Sequence, residues 1–325
     1  MNKLKRVHFA AVGRELHIDV PLSNVAIDHR PQEMIADMLC PIVDVPNISG
    51  QIPIFNVADQ RRIEKDYRAP GTPARRIVRN VSSDSFLCVN HALATGVNIE
   101  DLNNADPIYV QKLFNGGAQF LKGQLMLNYE NRVALQVNST SNVGSSAAVS
   151  SAWTDYTNSD PLSDLNTAID NVQDTTGVRP NRLTFGITAW RNCRRNDNVR
   201  NLIYGTNNGG GYISREQIAQ VLEVEQVLVG GAYKNTAAEG QDESLSKVWN
   251  NNVLVSYSPQ NPSIWDPSFM YGFRWSVNGI PNMQVERHPY NTVRKEYLIE
   301  LGYYQDEKIV GAEYSYLLLA VDSST

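Results

Sequence analysis

Val110, Leu113, Phe114, Gly117, Leu121, Leu125 and Tyr129 recur at offsets of 0, 3, 4, 7, 11, 15 and 19 residues. At about 100° per residue these positions share one narrow face, which predicts an amphipathic helix. Asp106 is placed to cap its start and Pro107 occupies the favoured first turn. Lys112, Asn115, Gln119, Lys122 and Glu130 are expected to point the other way. Gln124 and Asn128 interrupt the stripe and three glycines weaken the helix, but the pattern reaches about Gln136. At 1.5 Å per residue that is a rod of roughly 45 Å. The polar stretch Ser139 to Ser151 reads as a linker.

Other segments carry weaker patterns. From Met1 to about Ile48 the prolines at 21, 31, 41 and 46 block any long helix, and only Pro31 to Leu39 looks helical. Ile52, Ile54 and Phe55 start a strand, and Ala74 to Val81 is the expected return. Pro70-Gly71 marks a turn between them. Asp160-Pro161 opens a helix with Leu162, Leu165, Ile169 and Val172 inward and Gly177 closing it. Leu183 to Ile187 is a strand, after which Thr188 is expected to cap a helix carrying Trp190. Ser214 and Gln217 form a capping box. Val227 to Val229 and Val253 to Tyr257 are strands. Tyr297 to Tyr303 is a strand, Gln305 to Lys308 a turn, and Ile309 to Val321 the return. The fold class is α+β, with an internal α/β block between more extended segments.

Composition narrows the function classes. The 325 residues carry 29 Lys and Arg against 34 Asp and Glu, a net charge of −5 that argues against a dedicated nucleic-acid binder. Apolar runs fall short of a membrane span. The basic N-terminus lacks a continuous apolar core, so it does not read as a signal peptide, and a cytoplasmic origin is expected. Cys40, Cys88 and Cys193 are far apart and read as buried thiols.

Candidate chemistry is sparse. The nucleophile-elbow, zincin, Walker and dinucleotide-binding signatures are all missing. Gly209 to Gly211 lies in an Asn-rich loop, and the helix that follows begins only at Ser214, which suits a phosphate cradle poorly. The five histidines show no metal-ligand spacing. No catalytic, cofactor-binding or metal residue is therefore assigned, although a triad built across the sequence on His91 or His288 stays open. The unusual feature is charge. From Asp59 to Arg79 seven basic residues, Arg61, Arg62, Lys65, Arg68, Arg75, Arg76 and Arg79, face three acids, a local net of +4. Such a stretch is either a solvated loop or an arm that reaches a neighbouring subunit, and a two-stranded ribbon this poor in core residues cannot stabilise itself alone.

Several phrases resemble phage major capsid proteins of the Hong Kong 97-like fold. Arg179 to Trp190 is similar to that family's P-N-x-L to A-W strand-to-helix step. Gln217 to Ala237 resembles its helix leading into a V-x-V-G-x-A-x-x-N-T strand and loop. Lys247 to Trp249 with Val253 to Tyr257 matches the next strand, and Asp306 to Tyr314 resembles its final hairpin. The resemblance implies an N-terminal arm (1–48), an extended hairpin loop (49–84), a peripheral domain (85–159 and 282–325) with a spine helix over about 106–136, and an axial α/β domain (160–281).

It further implies a non-enzymatic coat protein without cofactors. Hexamers and pentamers of the chain would form an icosahedral shell around phage double-stranded DNA, which the inner face would contact without sequence specificity. Assembly would take place in the bacterial cytoplasm, with a portal and, because no long helical scaffolding segment precedes the arm, a separate scaffold protein. The seven basic residues of the loop would contact neighbouring subunits. Two other readings stay open here: the shell of an encapsulin-type compartment, and a soluble enzyme of unrecognised class.

Overall fold

Three strands in the second half of the chain are buried on both faces, the pattern of strands covered from two sides. Phe185 and Leu183 point one way and Thr184 the other; Val253 and Val255 oppose Leu254; Tyr316 and Leu318 oppose Leu317. The computed structural model describes residues 34–55, 61–64, 66–77, 81–205, 211–276, 283–319 and 321–322. In it these strands are the centre of a five-stranded sheet ordered Ser145–Ala148, Ser315–Leu319, Val253–Ser256, Arg182–Gly186, Gln226–Gly230. The outer pairings are parallel and the two central ones antiparallel.

The described residues divide into two compact units: those within 31–91, 123–281 and 304–325 form the larger, and those within 92–122 and 282–303 the smaller. Three of the boundaries fall within elements: the strand Val89–Asn98, the helix Pro107–Val137 and the strand Glu296–Ile309.

In the larger unit the five-stranded sheet has a core on each face. One face packs against the helix Pro161–Thr176 through Leu162, Leu165, Ile169 and Val172, with Trp153 and Trp190 filling the remaining space. That helix begins with the Asp160 carboxylate accepting from Ser163 N–H and ends at Gly177 with φ +67°, a conformation that glycine adopts without strain. The other face packs against Tyr129, Val133 and Val137 of the long helix, with Ile35, Leu39 and Trp249. A second layer of strands, Ile42–Val45, Met270–Trp275 and the 304–309 portion of Glu296–Ile309, completes this unit.

In the smaller unit, Gln284–Arg287 pairs antiparallel with residues 299–302. The helix packs on this ribbon: the Arg287 guanidinium lies 4.1 Å from the centroid of the Phe114 ring, and a Cβ at Gly117 would stand 3.3 Å from Ile299.

Local signals and the folded chain part company at several points. The long helix is Pro107–Val137, and Phe114, Leu121 and Leu125 are buried, but Leu113 is 38% exposed. Lys122 and Glu130, expected on the solvent side, are buried. The helix is covered over more than one face, so a single stripe does not describe it. The expected turn at Gln305–Lys308 is continuous strand, because all four residues pair with the Met270–Trp275 strand and the side chains of Gln305 and Glu307 are buried. Asp306 to Tyr314 is consequently not a hairpin, and Ser315–Leu319 joins the other sheet. Within the expected linker, Ser145–Ala148 adds an edge strand. Thr188 is the second residue of the helix Ile187–Cys193 and accepts from Lys247 Nζ, leaving Gly186 at the cap. Only Ala36–Leu39 is helical among the described residues of the 31–39 segment.

Candidate inter-subunit interface

The basic segment rises from an anchored base. Ser49–Phe55 and Val81–Leu87 pair antiparallel from Ser49 opposite Leu87 to Phe55 opposite Val81. The return strand therefore starts at Val81; residues 74–77, expected to form it, are exposed and carry no strand. Pro53 is tolerated because a two-stranded ribbon leaves one N–H side of each strand unpaired. Phe86 stacks on Phe273 with ring centroids 4.9 Å apart, and a Cβ at Gly50 would lie 2.8 Å from the Phe86 ring, so this position must be glycine for the ring to seat. Asp306 accepts from Leu87 N–H at 2.9 Å, and Lys308 Nζ sits 2.8 Å from Asp84 Oδ1. The hydrogen bond from the Lys308 ammonium holds the Asp84 carboxyl below the ordinary carboxylate range.

Beyond this base the described tip residues, 61–64 and 66–77, form no strand. The Pro70-Gly71 turn is present: Thr72 N–H donates to Ala69 O at 3.2 Å, with Gly71 at φ +80°. Of the seven basic residues, Lys65 and Arg79 lie outside the described residues. Arg61 Nη1 donates to Thr175 O at 2.8 Å, at the C-terminal end of the Pro161–Thr176 helix, where a cation is favoured by the helix dipole. Arg75 pairs with Glu64 inside the loop at 2.8 Å. Arg62, Arg68 and Arg76 are exposed and make no ion pair with a described residue.

Sequence reasoning on charge passed over the apolar residues interleaved with these arginines. Ile63 is 99% exposed, Tyr67 88% and Ile77 69%. The signal was available: three large apolar groups in a segment with no periodicity have no core of their own to enter.

A second anchor lies where the N-terminal segment meets the long helix. Glu130 accepts from Ile35 N–H at 3.0 Å, Ala36 N–H at 2.8 Å and the Trp249 indole N–H at 2.6 Å. Burial raises its pKa, and the three hydrogen bonds offset part of the rise. Beside it, Arg132 grips the buried Glu307 with two hydrogen bonds, of 3.2 and 2.8 Å.

The thiols do not suit nucleophilic chemistry. All three are buried, and burial pushes Cys88 up to about 11 and Cys193 up to about 12. His288 Nε2 lies 2.9 Å from Glu300.

No protein-family profile matches the chain. It is 24% identical over 316 residues to the major capsid protein of Burkholderia phage BcepMu, covering 94% of this chain and 97% of that one. Among solved structures, a phage-related protein from Bordetella bronchiseptica superposes with a TM-score of 0.70 at 23% identity, covering 94% and 97% of the two chains. The capsid protein of cyanophage P-SCSP1u superposes with a TM-score of 0.56 at 11% identity, covering 86% of each. The role is that of a structural protein rather than an enzyme. Along nearly its whole length the chain is thus similar to phage major capsid proteins, and it shares the Hong Kong 97-like fold of phage capsid subunits.

Proposed function

We propose that copies of the chain assemble into hexamers and pentamers of an icosahedral shell that encloses phage double-stranded DNA, and that the 49–84 hairpin lies over an adjacent subunit. The observation that carries this reading is the loop itself. A rigidly seated base presents a tip whose Ile63 and Tyr67 are almost fully exposed next to Arg62, Arg68 and Arg76. Burying those apolar groups in an interface removes them from water, and the arginines add charge-assisted contacts to carboxylates. Outside residues 59–79 the subunit carries a net −9, since that stretch holds +4 against a total of −5. Each exposed ion pair contributes only about 0–1 kcal/mol, so the contact gains strength from repetition around a closed lattice.

The proposal keeps residues 1–48 as an arm, 85–159 with 282–325 as a peripheral domain, and 160–281 as an axial domain. It includes assembly in the host cytoplasm, a separate scaffold protein, a portal, and packaged DNA held without sequence readout. Electron microscopy and sedimentation of the purified chain, alone and with a co-expressed scaffold candidate, test it. Closed shells of uniform size are expected. A chain that stays a small discrete oligomer under both conditions overturns the proposal.

A further inference from the structure

Glu286, His288 and Glu300 take no part in the interface described above. Strand register puts Glu286 directly opposite Glu300, and His288 N–H donates to Leu298 O at 2.9 Å, extending the ladder by one step. Because side chains alternate along a strand, all three occupy one face of the ribbon. Val285, Ile299 and Leu301 occupy the other face and are buried. One ligand atom from each of the three residues lies within 4.8 Å of the others, and His288 Nε2 to Glu300 Oε2 is 2.9 Å. All three residues are half-buried. Two carboxylates directly opposite each other across a strand pair repel, and a cation held between them converts that repulsion into attraction.

We propose that these three side chains form a binding site for a divalent cation of the zinc class. Two carboxylate oxygens and one imidazole nitrogen are a donor set that such borderline metals accept, with the remaining coordination positions left to water. Bonds of about 2.0–2.2 Å to a tetrahedral ion set ligand atoms roughly 3.3 Å apart, so the trio closes on the ion by side-chain rotation with the strands in place. A hard cation such as magnesium favours an all-oxygen octahedral shell and is disfavoured by the imidazole. The bound ion ties Gln284–Arg287 to its partner strand and stabilises the smaller unit.

The full-length chain, stripped with a chelator, is titrated with zinc chloride by calorimetry, and its thermal unfolding is followed with zinc or magnesium. Wild type is expected to bind zinc and to unfold at a higher temperature with zinc, but not with magnesium. Glu286→Gln and His288→Gln should each weaken zinc binding at least about tenfold and remove the thermal shift. Circular dichroism of the metal-free variants checks that they fold. If either does not, zinc protection of His288 from diethylpyrocarbonate in the wild type, read by peptide mass, reports on the same site. Zinc binding that is unchanged in folded variants would belong to other groups, such as His8, His17 or His29, and overturns the proposal. No zinc binding, an equal response to magnesium, or an unprotected His288 overturns it as well.

Discussion

Arg61 donates to the backbone carbonyl of Thr175 at 2.8 Å. The first arginine of the basic loop is thus used within its own subunit, where it helps to close the C-terminal end of the Pro161–Thr176 helix. Arg75 is likewise engaged within the loop by Glu64, which leaves Arg62, Arg68 and Arg76 as the outward-facing basic residues among those described.

These arginines should therefore behave as two groups. Arg61→Ala is expected to lower subunit stability by about 0.5–1.5 kcal/mol, one hydrogen bond's worth, in chemical denaturation. The triple change of Arg62, Arg68 and Arg76 to Glu should leave subunit unfolding unchanged but abolish or weaken shell formation, as read by sedimentation. Normal shells from the triple variant would show that these charges do not join subunits.

Periodicity puts Leu121 and Leu113 on one helical face, but Leu121 is 2% exposed and Leu113 38%. Leu121→Ala should cost about 2–5 kcal/mol through lost burial and the cavity left behind, and Leu113→Ala less than about 1 kcal/mol. Equal costs in urea unfolding would mean that the helix is rotated from the position described.

Glu130 faces only donors: two backbone N–H groups and an indole N–H. In Glu130→Gln one accepting oxygen becomes an NH2 group that must confront a donor. A loss of about 1–3 kcal/mol is expected. Faster proteolysis of the N-terminal segment should accompany it, since Ile35 and Ala36 lose their anchor. Unaltered stability and protection would show that the buried carboxylate is not what holds the segment.

Asp84 supplies a pH dependence with a definite sign. Its carboxyl is held below the ordinary value of 3.8, chiefly by the hydrogen bond from Lys308. A lowered folded-state pKa contributes stability above the unfolded value and loses it as pH falls through the folded one. Asp84→Asn should thus unfold at a lower temperature than wild type at neutral pH. The gap should shrink as the pH drops below 3.8. A gap that stays constant into acid would remove the Asp84–Lys308 pair as its cause.

Where a segment's structure was set by its own residues, it could be read directly. The helix Pro161–Thr176 has its start and stop written locally, as Asp160-Pro161 and Gly177, and its four inward residues are buried. Ser214 and Gln217 form the expected capping box. The +4 loop stood out by charge alone, and its turn by Pro70-Gly71. These features depend on contacts three to five residues apart, which a linear pattern contains.

Tertiary structure decided everything that depends on a distant partner. Gln305 to Lys308 reads as a polar turn, yet it is strand because Arg132 neutralises Glu307 and Met270–Trp275 supplies the ladder. Lys122 and Glu130 read as solvent-facing because polarity along a helix does not reveal which partners will cover it. Arg61 could not be separated from its neighbours until Thr175, 114 residues away, was placed beside it. Glu300 meets Glu286 and His288 only through strand register. Local preferences are summed over a few residues, whereas the burial of a charge or the pairing of a strand turns on whether a partner arrives from elsewhere in the chain to repay its desolvation.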